Sequence, residues 1–238
     1  TLEPSLDVVA TVSDFYAEGR FGLEPSERRR ELLEGILAGA THVDAIMIYP
    51  HGGEPSGIAR GEAQGETIVV DRPGKVPSEV RGLLEDLGPG DPPQWGPPVF
   101  VDGETYVNVV APLVRDGAGE GAVVLAMGTD EISRVVTRIA RNDDATAFVL
   151  YGEEGVLARS GEASVYGGAD PRTSGRPIVP FQDVRDPVLA SWSAREPLPG
   201  FRAASREGVS VARITADDGV HMVVSSALEG FGPEPWTV

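Results

Sequence analysis

Acid–base and metal chemistry would fall first to histidine, and the chain holds three: His42, His51 and His221. None stands in an H-E-x-x-H pair or at another close ligand spacing, and His42 with Asp44 reads as a pair at element ends. The absence of cysteine excludes disulfides, thiolate zinc sites and thiol nucleophiles. Carboxylates are adjacent at Asp143-Asp144, Glu153-Glu154 and Asp217-Asp218, each in a turn-like stretch. General acid–base work needs a carboxyl group in a buried, perturbing environment, and turns leave these solvated. There is no G-x-S-x-G elbow, no Walker loop and no G-x-G-x-x-G; Gly117-x-Gly119-x-Gly121 reads as a hairpin turn. No catalytic constellation, metal site or cofactor site is expected, which favours binding over catalysis.

The side chains suited to holding a small molecule lie elsewhere. Tyr106 and Asn108 alternate on one face of a long strand, with Thr105, Val107 and Val109 on the other. A Tyr and an Asn on one sheet face line a small polar pocket, or else serve as a core edge and a bond to a loop. Trp95 precedes that strand in a loop rich in Pro and Gly. Arg60, in the loop after the first strand, is a candidate anion clamp. Met47 alternates with Tyr49 along that strand; both suit core packing, and Met47 completes the candidate ligand set of Trp95, Tyr106, Asn108, Arg60 and Met47.

Composition bounds what these residues serve. The 238 residues carry 20 basic and 37 acidic side chains, a net charge of −17, which repels phosphate backbones and anionic lipid. No nucleic-acid partner is expected. Lys75 is the one lysine, so arginine supplies nearly all positive charge. Gly and Pro make up 50 residues without a collagen-like period, which calls for many turns between short elements. No stretch approaches the ~18 apolar residues of a membrane span.

The elements follow from periodicity. Leu2, Leu6, Val9, Val12 and Tyr16 recur at helical steps, and Gly19, Gly22 and Pro25 end that helix. Its 3.5-like spacing would suit a parallel pair of helices, hence a homodimer. Ser26 caps a second helix with the stripe Leu32, Leu33, Ile36, Leu37 and Ala40, and Arg28-Arg29-Arg30 forms a solvated face. A strand over 44–49, a short one over 68–70 and a helix over 77–87 come next. Strands over 99–101, 105–114 and 121–127 make an antiparallel meander, and a helix from Thr129 or Asp130 follows. The order then restarts: strands over 147–151 and 156–159, a loop over 161–180, a short helix over 186–192, and strands over 201–205, 209–216 and 220–228. A domain boundary is placed near Asn142, giving modules 1–142 and 143–238.

At the meander the sequence resembles a known family. Val101-Asp-Gly-Glu-Thr-Tyr106, Val109-Val-Ala-Pro-Leu113, Gly121 to Met127 and Asp130-Glu-Ile-Ser133 look like a Cache sensor domain. Phe148-Val-Leu-Tyr-Gly152 with Gly155-Val-Leu-Ala-Arg159 resembles the opening of the second module of a double Cache. The ending Gly232-Pro-Glu-Pro-Trp-Thr-Val238 resembles the end of such ectodomains before a second membrane helix, and Leu2 to Tyr16 the helix leaving the first.

The resemblance implies an α+β fold of two PAS-like modules, each an antiparallel sheet flanked by helices, with a long N-terminal helix. It implies the extracytoplasmic input region of a bacterial membrane receptor, whose output is a nucleotide cyclase, a histidine kinase or a chemoreceptor. A small molecule of unknown identity would bind the distal, first module. The arginine and aspartate that resemble the amino-acid-binding members' contacts are missing: Gln94 and Pro93 precede Trp95, and Ala126 stands about where the aspartate falls. The alternatives are a ligand-free sensor working through a periplasmic protein partner, a periplasmic hydrolase and a soluble periplasmic binding protein.

Overall fold

Strand order organises the chain. The computed structural model describes residues 4–61, 66–70, 77–101, 103–141, 145–153, 155–161, 177–184, 186–198, 209–228, 230–231 and 234–238. The expected strand over 201–205 and the pairs Asp143-Asp144 and Glu153-Glu154 fall wholly or partly outside these residues. The chain divides into two compact units, Thr1–Val101 with Tyr106–Gly128, and Asp102–Thr105 with Thr129–Val238.

The first unit contains α1 (Pro4–Ala17), α2 (Glu27–Gly39), β1 (Ala45–Pro50), β2 (Ser56–Arg60), β3 (Thr67–Val70), α3 (Ser78–Asp86), β4 (Gln94–Trp95), β5 (Val99–Val101), most of β6 (Glu104–Arg115) and β7 (Ala118–Gly128). The sheet runs β3-β2-β1-β7-β6-β4, with β5 also on β6. The ladders β1–β2, β1–β7, β2–β3, β4–β6 and β6–β7 are antiparallel. The sequence anticipates β1, β3, β5, β6 and β7, whereas β2 forms where a loop is expected.

Alternation divides this sheet into two faces. Ile46, Ile48, Val107, Val109 and Leu125 belong to the face that α1 and α2 cover, and all are fully buried, as are Val9 and Val12 of α1. The Ser5 hydroxyl donates to Met127 Sδ at 3.0 Å on that side. The stripe read as a dimer seam is therefore spent within its own unit, and exposed Asp7 and Asp14 mark the outer side of α1. The expected cap of α2 is present: Ser26 Oγ accepts from the Arg29 N–H at 3.2 Å. Arg29 corrects the solvated-face reading of the basic run. It is 4% exposed and donates to the Leu23 carbonyl and, at 2.7 Å, to Ser56 Oγ. Helical geometry turns Arg29 onto the buried face shared with Leu33 and Leu37, where these hydrogen bonds help to offset the cost of burying its charge.

The β6–β7 turn is tighter than the sequence implied. Arg115 pairs with Ala118, so two residues close it, and both have positive φ: Asp116 at 51° and Gly117 at 79°. That twist matches the flanking strands.

The second unit contains α4 (Thr129–Arg141), β8 (Phe148–Tyr151), β9 (Gly155–Arg159), β10 (Val179–Pro180), α5 (Pro187–Ala190), β11 (Glu196–Pro197), β12 (Val209–Ala216), β13 (Gly219–Leu228) and β14 (Trp236–Thr237). The sheet runs β10-β9-β8-β14-β13-β12-β11. Helix α4, which ends where the sequence places a boundary near Asn142, packs on β9 through buried Ile132, Val136 and Ala140, at i, i+4 and i+8. The short helix anticipated over 186–192 is α5 followed by a 3-10 turn, Trp192–Ala194. Asp186 caps α5, accepting from Val188 N at 3.0 Å and Leu189 N at 3.1 Å, and its other oxygen lies 3.3 Å from Arg159.

The two sheets share one order. In β2-β1-β7-β6 and in β9-β8-β14-β13, the strand that ends the unit lies beside the one that begins it. In the second unit that last strand has two residues, held by Trp236, which is fully buried, pairs with Tyr151 and Leu228, and packs edge-on to the Tyr151 ring at 6.4 Å.

Candidate functional site

The face of the first sheet away from α1 and α2 carries the candidate site. Met47 pairs with Gly57 and Val124, Asn108 with Ala126, and Tyr106 with Gly128, so Met47, Asn108 and Tyr106 share this face. Helix α3 covers it with Val80, Leu83 and Leu84, which pack with Met47, Val99, Val110 and Val124; Tyr49 and Tyr106 adjoin the cluster. Burial holds the Tyr49 hydroxyl above its ordinary pKa.

Asn108 is the polar group of this apolar face. It is 1% exposed, and its Nδ2 donates to the Pro97 carbonyl at 2.6 Å. Its Oδ1 is buried without a donor among the described residues. A buried amide oxygen left in that state is costly, and such a group in a native fold calls for an explanation. The β4–β5 loop can lie against it only because residue 96 is glycine: a Cβ there would stand 2.0 Å from Asn108 Oδ1 and 2.9 Å from Leu83 Cδ2.

Asp44 is a neighbour of this face that sequence reasoning did not place there. Its Oδ2 accepts from the Gly128 N–H at 2.6 Å. A Cβ on Gly128 would lie 3.2 Å from that oxygen and 3.9 Å from the Tyr106 ring, so the absent side chain keeps a space open between carboxylate and ring. The available signal was an acid opening a buried strand, but its nearness to Tyr106 passes through β7 and has no local pattern.

Two sequence candidates lie elsewhere. Trp95 pairs with Val109, which places its side chain on the opposite face from Tyr106 and Asn108; it is 4% exposed. Strand β4, read as loop, sets that direction. Arg60 ends β2 instead of lying in a loop. Its Nε donates to the Val43 carbonyl at 2.8 Å, and its Nη2 donates to the carbonyls of Leu37 and, at 3.0 Å, Ala40. These are carbonyls at the end of α2 and in the turn after it, where the helix ladder has run out; that of Ala40 also accepts from the Val43 N–H at 2.9 Å. Among the described residues, no group of three His, Asp or Glu side chains is placed to hold a metal ion. No described helix is long and apolar enough to cross a membrane.

No family model and no curated protein matches the chain. Solved structures do. The extracellular domain of vpHK1S-Z8, described as a histidine kinase, aligns at TM-score 0.62 and 13% identity, covering 99% of this chain and 85% of that one. A domain from a sensory box/GGDEF family protein of Vibrio parahaemolyticus aligns at TM-score 0.58 and 13% identity, over 99% and 88% of the two chains. The ligand-binding domain of the Pseudomonas aeruginosa amino-acid chemoreceptor PctC, in complex with GABA, aligns at TM-score 0.55 and 14% identity, over 99% and 88%. The fold is therefore that of the extracellular sensor domains of histidine kinases, chemoreceptors and GGDEF proteins, a Cache-type α+β architecture.

Proposed function

We propose that this chain is the extracytoplasmic signal-input region of a bacterial transmembrane protein, and that it binds a small molecule in the first unit instead of catalysing a reaction. The observation that carries the reading is a shared fold over 99% of the chain with extracellular sensor domains, among them ligand-binding domains of amino-acid chemoreceptors. The ligand lies against the face of Met47, Tyr106 and Asn108, beneath α3. A donor group on it satisfies Asn108 Oδ1, and a cationic group suits the space between Asp44 and Tyr106. Trp95 and Arg60 support this site from behind, one packing on the far face and the other fixing the end of α2. The module boundary near Asn142, a membrane tether and a homodimer belong to the same reading. Pairing through α1 would use the side bearing Asp7 and Asp14, because Val9, Val12 and Tyr16 are already buried.

Binding drives signalling only through differential affinity for two conformations, and the α3 cover is the element whose position a ligand would change. The test is a thermal-shift screen of the whole chain against amino acids, amines, organic acids, purines and sugars. A ligand at about 100 times its dissociation constant adds roughly 2.7 kcal/mol of stability. A saturable shift abolished by Tyr106→Ala and by Asn108→Leu supports the site. No shift across the panel moves the function to recognition of a protein partner.

A further inference from the structure

The second unit contains a cleft of about 860 Å³. Pockets for small organic ligands occupy ~300–1,000 Å³. Its lining comes from the inner face of the sheet and from the segment that runs from β10 through α5 to Arg195.

The lining has an aromatic wall and a polar floor. Phe181 and Trp192 meet edge to face, with centroids 6.4 Å apart and planes at 77°. Phe181 is buried, while Trp192 is only half-buried and leaves ring surface toward the cleft. Arg195 lies over the Trp192 ring, its Cζ 4.9 Å from the centroid, and its Nη1 donates to the Trp192 carbonyl at 3.1 Å. The adjacent Glu196 is engaged by Arg213 across the β11–β12 ladder, which leaves Arg195 without a carboxylate among the described residues. Ser210 and Ser225 pair across β12 and β13, and their hydroxyls are 2.7 Å apart. One hydroxyl donates to the other, so one hydrogen and several lone pairs remain for a ligand. Further along the same face stand buried Ala212 and Ile214, so the two serines interrupt an apolar surface where the cleft opens.

We propose that this cleft is a second small-molecule site, and that it takes a planar organic acid, an aromatic or heteroaromatic carboxylate. The ring lies along the open surface of Trp192, the carboxylate pairs with Arg195 held over the Trp192 ring, and a polar substituent reaches the Ser210–Ser225 pair. Glu153 also lines the cleft, so an ammonium of the same shape is the competing ligand. This site is separate from the first-unit site and stands if that one fails.

Benzoate and benzylamine, matched in shape and opposite in charge, are titrated into the whole chain while the tryptophan indole N–H resonances are followed, with Trp192 assigned through Trp192→Phe. Benzoate is expected to shift the Trp192 resonance saturably. Arg195→Gln weakens that binding about tenfold or more, the effect of losing one charge-assisted contact. Tyr106→Ala leaves it unchanged, which separates this site from the first. Arg195 is exposed, so its variant is expected to fold, and unchanged indole resonances of Trp95 and Trp236 verify this. No response to benzoate, a response to benzylamine alone, or a benzoate response that survives Arg195→Gln overturns the proposal.

Discussion

The guanidinium of Arg115 lies over the ring of Tyr16, with Cζ 4.2 Å from the centroid, and donates through Nη2 to the Tyr16 carbonyl at 3.0 Å. The same Nη2 donates to the Phe21 carbonyl at 2.9 Å. One side chain at the end of β6 thus holds both the last turn of α1 and the segment leading away from it. A cation at a helix C-terminus also favours the helix dipole.

Arg115→Gln removes the stacked cation and one or both carbonyl contacts. The first unit is expected to lose about 1–3 kcal/mol, the range for charged hydrogen bonds and cation–π contacts. Arg115→Lys keeps the charge but loses the planar guanidinium that stacks on the Tyr16 ring, and recovers only part of the loss. Urea denaturation of the three proteins checks the ranking; equal stabilities would refute it.

Tyr16 carries a pH prediction. Burial, then its hydrogen bond to the Glu120 carboxylate, pushes the phenol up to about 12, against an ordinary value of 10.0. The folded state therefore holds this proton more tightly than the unfolded chain. The contribution is complete below pH ~10 and is lost as pH rises from there through about 12, at no more than ~1.4 kcal/mol per pH unit. Tyr16→Phe has no proton to lose, so the gap between wild type and variant should narrow over that window and stay constant below it. Tyr49 and Tyr151 are also raised and affect both proteins alike. A gap independent of pH up to 12 contradicts the assignment.

Two glycine-to-alanine changes should have opposite signs. A Cβ on Gly57 would lie 2.1 Å from the Ile46 carbonyl oxygen and 2.8 Å from Met47 Cα, both backbone atoms that cannot yield without parting β1 from β2. Gly57→Ala is expected to cost about 3 kcal/mol or more. Gly35 sits exposed inside α2 with nothing within 4 Å of its Cβ position. Gly35→Ala is expected to stabilise by about 0.5–1 kcal/mol through helix propensity and a less free unfolded chain. Thermal melts of both variants decide the signs.

Arg60→Met strips the end of α2 of its donors to Leu37, Ala40 and Val43. A loss of about 1–3 kcal/mol is expected, because buried carbonyls are left unsatisfied. Affinity for a first-unit ligand should change little, since those contacts are already made inside the chain. Calorimetry on both proteins separates the two effects; a large affinity loss at unchanged stability would make Arg60 a direct ligand contact.

Local order was legible in the residues themselves. The stripe Val9, Val12, Tyr16, the Ser26 cap and the alternation of β6 and β7 each express a period or a cap that needs only neighbours within a few residues. The meander was legible because its strands are long and its turns short, and the resemblance to Cache domains rested on that stretch. The tertiary structure decided which face each group meets. Arg29 entered the core because two leucines on its helix face did, and no charge pattern distinguishes it from Arg28 or Arg30. Trp95 turned away from Tyr106 because its two-residue strand registers on Val109, and two residues carry no period. Trp236-Thr237 became a central strand because Tyr151 and Leu150, far away in sequence, pair with it on one side while Leu228 and Ala227 pair with it on the other. Asp44 came beside Tyr106, and Ser210 beside Ser225, through ladders whose register depends on the packing of the whole sheet. Long-range register is set by the sum of many buried contacts, so the fold class was readable residue by residue while the composition of each pocket was not.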